Sequence, residues 1–221
     1  MDEIILHHYP ASPVSEKVRV ALGIKRLAWR SVEIPRVPPK PDVMPLTGGF
    51  RRTPIMQIGA DIYCDSQCIL RELQRRFPEP TFYPDGDAGL PWAISRWTDV
   101  LFDVAVRLSM GANAAQMPEA FARDRVRLFF GPNGDLNKVQ ADVPHAVVQL
   151  RAQFGWIDRR LARGSPFPWG PLQGWSMPCF TISFGSYAAA GRVAQRCSPS
   201  LKRSKPGSGG SRRSAMARHP R

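Results

Sequence analysis

The sequence predicts a small α/β domain over residues 1–84, followed by an incomplete all-helical domain over residues 85–167. Three observations predict it. Short apolar and aromatic runs alternate with helical periodicity in the order strand, helix, strand, then strand, strand, helix. From Leu90 onward apolar residues recur only at helical spacing. After Phe167 that spacing stops.

The run from Ile4 to Tyr9 is apolar and aromatic and ends at Pro10, as a short strand does. Ser12-Pro13 opens a helix, since proline near the first helical position loses no needed donor. Val14, Val18, Ala21 and Leu22 keep helical spacing up to Gly23. Trp29 to Ile34 alternates apolar and polar residues, the pattern of a half-buried strand. A proline-rich connection, Pro35 to Pro45, is too irregular for a regular element. Ile55 to Ile58 and Asp61 to Tyr63 form a hairpin about Gly59-Ala60. Asp65 caps a helix from Ser66 to about Phe77, with Ile69, Leu70 and Leu73 facing inward. The second unit reads as helices over Pro91–Met110, Pro118–Phe130 and His145–Leu161, with a boundary near Tyr83-Pro84-Asp85-Gly86.

Composition excludes several classes. No apolar run approaches the length of a membrane span, and no basic region precedes the first apolar stretch as in a secretory leader. Four irregularly spaced cysteines do not suggest a disulfide framework, so a reducing cytoplasm is the expected location. The formal net charge is +13. Of the 31 Lys and Arg, 9 lie from Pro168 onward, where Asp and Glu are absent; residues 1–167 are left with a net charge of only +4. A nucleic-acid role is therefore not expected of the folded part. His7 and His8 alternate along a strand, without further residues at metal-ligand spacing, so no metal is expected. Cys64 and Cys68 read as buried small residues, and Trp92 and Trp97 as packing of the helical domain.

Ser12-Pro13-Val14-Ser15 stands after the first strand and opens the first helix. In thioredoxin-like folds that position holds a redox pair, often Cys-Pro-x-Cys. Serine at both places excludes disulfide exchange there, which needs a thiolate. A hydroxyl at a helix start can instead donate to a substrate thiolate, with the helix dipole favouring the charge. A hydrogen bond to a charged group contributes about 1.5–3 kcal/mol. At about 1.36 kcal/mol per unit, that lowers a thiol pKa by roughly one to two units. Taken alone, the same serines serve equally as helix caps.

The stretches HHYPASPVSEKVRVALGIKRLAW, RRTPIMQIG and YCDSQCILRELQRRFPEPTFYP, in that order, resemble the N-terminal domain of bacterial glutathione S-transferases. The resemblance implies a thioredoxin-like βαβ-ββα domain. It also implies glutathione as co-substrate and a small electrophile as second substrate, a detoxifying reaction, and the homodimer that the family usually forms. Ser12 would be the thiol-activating hydroxyl of a serine-type member, with Ser15 second and Tyr9 third. Thr53-Pro54 matches the family's cis X-Pro step, where the Thr53 backbone would pair with the peptide of glutathione. Asp65-Ser66 matches its acidic-Ser pair, which would hold the γ-glutamyl end. Arg51, Arg52 and Lys40 are the candidates for the glycine carboxylate. The alternative is a non-catalytic or degenerate interaction protein on the same fold.

Members of that family carry, near residue 167, a segment like LLG…APGxADA that begins a buried helix. This chain reads PWGPLQGWSMPCFTISFG, then turns to Ser, Gly and basic residues. The expected explanation for residues 168–221 is a frameshift near residue 167; a basic disordered tail is the other. Dropping two nucleotides from GC-rich codons lets the segment encode helix-like sequence. Sequencing the gene with its flanks decides: an intact downstream reading frame is expected, and its absence removes the frameshift.

Overall fold

A computed structural model describes residues 3–83, 86 and 88–163. Residues 168–221, with the frameshift and tail readings, lie outside the described residues, as do residues 84 and 85 of the expected boundary.

Four strands, β1 (Ile4–His8), β2 (Arg30–Glu33), β3 (Ile55–Ile58) and β4 (Asp61–Cys64), form one sheet in the order β2-β1-β3-β4. Strand β2 runs parallel to β1; β3 is antiparallel to both β1 and β4. The register places Leu6 opposite Met56 and Ile4 opposite Ile58, so one face of the sheet is continuously apolar. Helices α1 (Pro13–Ile24) and α2 (Ser66–Arg76) cover that face. Leu6, Met56, Val18, Leu22, Ile69, Leu70 and Leu73 are all fully buried there. At roughly 1.5–3 kcal/mol for each large apolar side chain removed from water, this cluster is the main stabilising element of the domain. The opposite face is smaller, and Ile34, Val43 and Ile55 close it beneath the 35–53 connection. This is the thioredoxin-like architecture expected from the sequence.

Two local expectations are corrected. All four residues of β2 are exposed, not half-buried, because β2 is an edge strand with β1 as its one neighbour. Its Arg30 and Glu33 keep that edge polar, which discourages pairing with another chain. His7 and His8 are both buried, not one of them: His7 binds Gln57 on one face, and His8 sits under Trp29 on the other.

The helical part comprises α3 (Gly89–Ala112), α4 (Glu119–Phe130), α5 (Leu136–Ala141) and α6 (Val143–Ala162), with a single 3-10 turn at Ala114–Gln116. Leu101, Ala105 and Leu108 of α3 pack on Ala146, Leu150, Phe154 and Ile157 of α6. Helix α5 was not expected. It is one and a half turns long, and Asp135 caps it by accepting from the Asn137 amide at 2.8 Å. It approaches α3 closely at Gly111, where a Cβ would stand 2.5 Å from Val143 Cγ2 and 2.7 Å from the Val139 carbonyl. Trp97 packs this core and donates to Gln153 at 2.9 Å. Trp92 departs from expectation: it packs against the core of the first domain, beneath the Arg71 guanidinium at 4.2 Å. No helix among the described residues is long and apolar enough to cross a membrane.

The outer side of α2 is fastened to the hairpin by charge. Glu72 accepts from Arg75 at 2.7 Å, Arg76 at 2.5 Å and the Tyr63 hydroxyl at 3.0 Å. The Arg75 and Arg76 hydrogen bonds hold its carboxyl down to about 2, below the usual 4.5. The unfolded chain therefore binds the proton first on acidification. Stability from this group is complete above pH 4.5 and drains away as pH falls through 2. Acid titration of the denaturation midpoint should show that loss, and Glu72→Gln should abolish it. The cost at neutral pH should be about 1–2 kcal/mol once the solvent screening of exposed Arg75 is discounted.

Candidate functional site

The chain leaves β1 at His8 and turns through Tyr9-Pro10-Ala11 into α1. Ser12 is the N-cap, at φ −78° and ψ 114°, and its Oγ accepts from the Ser15 amide at 3.1 Å. The Ser12 amide in turn donates to the Tyr9 carbonyl at 3.0 Å, which fixes the turn. Arg19, in the second turn of α1, braces the same loop. It donates to the Pro10 carbonyl at 2.9 Å and to His8 Nδ1 at 2.8 Å, and it pairs with Glu16. Burial and the Arg19 charge hold the His8 imidazole below its usual range, so Nδ1 stays an acceptor. Nε2 then carries the hydrogen and faces Ser31 Oγ at 2.8 Å. Sequence reasoning missed this brace, because nothing in the spacing of His8 and Arg19 marks them as partners.

The Thr53-Pro54 peptide is cis, as the resemblance implied. Thr53 is steadied by Lys40, whose buried ammonium donates to Thr53 Oγ1 at 3.3 Å and to the Arg51 carbonyl at 3.0 Å. Burial, reinforced by the charges of Arg125 and Arg51, pushes that amine below its usual range. Arg51 reaches across to α4 and pairs with Asp124 at 2.7 Å.

Asp65 lies between β4 and α2 with φ at +75°, a region that costs a non-glycine residue on the order of 1–3 kcal/mol. Its carboxylate recovers part of that by capping α2 at the Gln67 amide, 2.8 Å away. Ser66 is the first residue of the helix. The Gln67 side chain donates to Asp99 of α3 at 3.2 Å. Burial pushes the Asp99 carboxyl up, buried Lys17 pulls it back, and Asp65 adds to the rise. Asp99 was not anticipated, because only the packing of α3 on α2 brings it here.

These elements surround a cavity of about 670 Å³ between the sheet domain and helices α3 and α4. Ser12, Thr53, Pro54, Asp65 and Ser66 all line it, although they are spread over 55 positions of sequence. Tyr9, Lys40, Arg51 and Arg52 line it too. Ser15 does not: its Oγ is buried in the domain and finds no hydrogen-bond partner. The facing wall is apolar, with Phe102 and Val106 from α3 and Phe121 and Phe129 from α4. Cys68 is exposed, against expectation, because it lies on the outer face of α2; Cys64 is half-buried. Among the described residues no group of three His, Cys, Asp or Glu could hold a metal.

The polar lining includes Asp65 and Ser66 at the start of α2, suited to an ammonium beside a carboxylate, and Lys40, Arg51 and Arg52, suited to a second carboxylate. Ser12, at the start of α1, lines the cavity as well.

The family described as glutathione S-transferase, N-terminal domain, matches residues 6–81. Among solved structures, a GST-like protein from Pseudomonas syringae is 33% identical, with a TM-score of 0.54, over 88% of this chain and 67% of that one. A glutathione S-transferase from Rhodospirillum rubrum F11 shares 19% identity at a TM-score of 0.60, over 89% of this chain and 83% of that one. A glutathione transferase from Phanerochaete chrysosporium shares 16% identity at a TM-score of 0.64, over 86% of each chain. The last two similarities speak to fold alone. No curated protein matches the chain.

Proposed function

The chain belongs to the glutathione S-transferase superfamily, and from that premise we propose that it binds glutathione in this cavity and activates its thiol for attack on a small electrophile. The observation that carries the reading is Ser12, at the start of α1 and on the wall of the cavity that Thr53, Pro54, Asp65 and Ser66 also line. Ser12 is only 2% exposed, so a sulfur at its hydroxyl meets little competing water.

Capping and catalysis do not compete for this hydroxyl. A serine oxygen has two acceptor sites and one hydrogen. Ser12 Oγ accepts from the Ser15 amide with one site, which leaves the hydrogen for a thiolate. The axis of α1 adds its positive end. Asp65, Ser66 and the α2 start would hold the γ-glutamyl group. The Thr53 backbone would pair with the peptide, and Lys40 or Arg52 would take the glycine carboxylate. The thiol proton is released to water, and the thiolate sulfur bonds to the electrophilic carbon as the carbon's bond to its leaving group breaks and that group departs with the electron pair (halide, for an aryl halide), while the apolar wall of α3 and α4 holds the rest of that molecule. Ser15 has no part in this reading, because its hydroxyl is turned away from the cavity.

The thiol pKa of bound glutathione, read from ultraviolet thiolate absorbance in a pH titration, should rise by roughly one to two units in Ser12→Ala. Turnover of a generic aryl halide near pH 7 should fall about tenfold or more. Retention on immobilised glutathione with an unchanged thiol pKa in that variant would leave a binding module and remove the activating role.

A further inference from the structure

We propose that the electrophile this cavity accepts is a flat apolar molecule carrying a carboxylate, and that Arg125 with the Tyr9 hydroxyl recognises that carboxylate. The inference rests on the glutathione reading above and extends it to the second substrate.

The cavity holds more positive charge than glutathione uses. Arg19, Arg36, Lys40, Arg51, Arg52 and Arg125 line it, against Glu16 and Asp65. Arg19 is engaged by Glu16, and Arg51 by Asp124. Lys40 and Arg52 belong to the connection that faces the glycine end. Arg125 is different in origin and surroundings. It comes from α4, the helix that also supplies Phe121 and Phe129 to the apolar wall.

Arg125 is only 9% exposed. Its acidic partner, Asp124, accepts from it at 3.4 Å through Oδ2 and gives its other oxygen, Oδ1, to Arg51 at 2.7 Å, so one carboxylate is shared between two guanidiniums. Its other contacts are neutral: the Arg36 carbonyl at 2.7 Å, the Tyr9 hydroxyl oxygen at 3.4 Å, and the Phe121 ring at 4.8 Å. A guanidinium out of water and only partly compensated is costly to keep. It is also the group whose planar fork best matches a carboxylate. Tyr9 completes the arrangement. Its oxygen accepts from Arg125, so its own hydrogen is free to donate beside the guanidinium edge. A carboxylate bridging the two would neutralise the surplus charge. The ring that carries it would lie against the Phe102–Phe129 edge-to-face pair, whose centroids are 6.2 Å apart.

The test is calorimetric titration of the full chain with S-(para-carboxybenzyl)glutathione and S-(para-methylbenzyl)glutathione, two conjugates that differ by a carboxylate in place of a methyl group. The carboxylate conjugate should bind about tenfold to a hundredfold tighter, the span of a charge-assisted hydrogen bond. Arg125→Met should bring the ratio of the two affinities to about one. Arg125 also ties α4 to the first domain, so Tyr9→Phe is the gentler variant; it should cut the ratio several-fold while the melting curve stays cooperative. A ratio of about one or below in the unaltered protein, with the methyl conjugate bound, overturns the inference and leaves the glutathione reading standing. Failure of both conjugates and of glutathione itself to bind overturns that reading and the inference with it.

Discussion

Everything at the site depends on two helices packing side by side on one face of a narrow sheet. The contact of Val18 and Leu22 of α1 with Leu6, Met56, Ile69 and Leu70 is dry and fully buried. Interiors packed at crystal-like density do not slide. The directions of α1 and α2 are therefore fixed by apolar atoms that never touch the cavity. Each helix begins where a strand ends, after β1 and after β4, and these two strands run in the same direction, so both N-termini open at the same end of the sheet. The polar groups that converge on the cavity, Ser12 from one helix and Asp65 and Ser66 from the other, are placed by hydrophobic packing behind them.

The same placement explains why caps and candidate ligand groups coincide. A helix start presents amides that its own turns cannot satisfy. Ser12 and Asp65 each satisfy one, at Ser15 and at Gln67, and the remaining amides and both dipoles stay directed toward the cavity. Asp65 makes the point most clearly. A residue held at φ +75° costs energy that a plain cap does not need to spend. Asp99 of α3, which accepts from Gln67, stands close enough for the Asp65 charge to act on it, although it does not line the cavity.

The first domain was legible in the sequence almost throughout, because strands and helices there follow clean periodicities and the three motifs lie within them. Ser12, Thr53, Pro54, Asp65 and Ser66 are such motif residues, and the cavity brings them together. What could not be read is what depends on register and packing. Ser15 carries the same hydroxyl as Ser12, yet Ser12 is the N-cap, with extended backbone at ψ 114°, while Ser15 lies in the first turn of α1 with its side chain in the interior. The alternation of Trp29 to Ile34 gave no sign that β2 would stand at an edge. Lys17 and Lys40 carry charge yet are buried, and that burial arises only once the connection and α3 close over them. Helix α5 is too short for its periodicity to register.

The second half of the cavity follows a different rule. Arg51–Asp124, Gln67–Asp99 and Arg125 with the Arg36 carbonyl and the Tyr9 hydroxyl are polar ties that cross between the sheet domain and the helices. Each joins residues far apart in sequence, so no local pattern announces them. Apolar contact sets the position of an interface loosely, because one hydrophobic surface fits another in several ways. Directional hydrogen bonds to charged groups select among those fits. Arg51 spends its charge on Asp124 and so serves the interface. Arg125 shares the same acid at a longer distance and stays on the cavity lining. One carboxylate between two guanidiniums thus ties the domains together, and the longer of its two contacts goes to the more buried cation on the cavity lining.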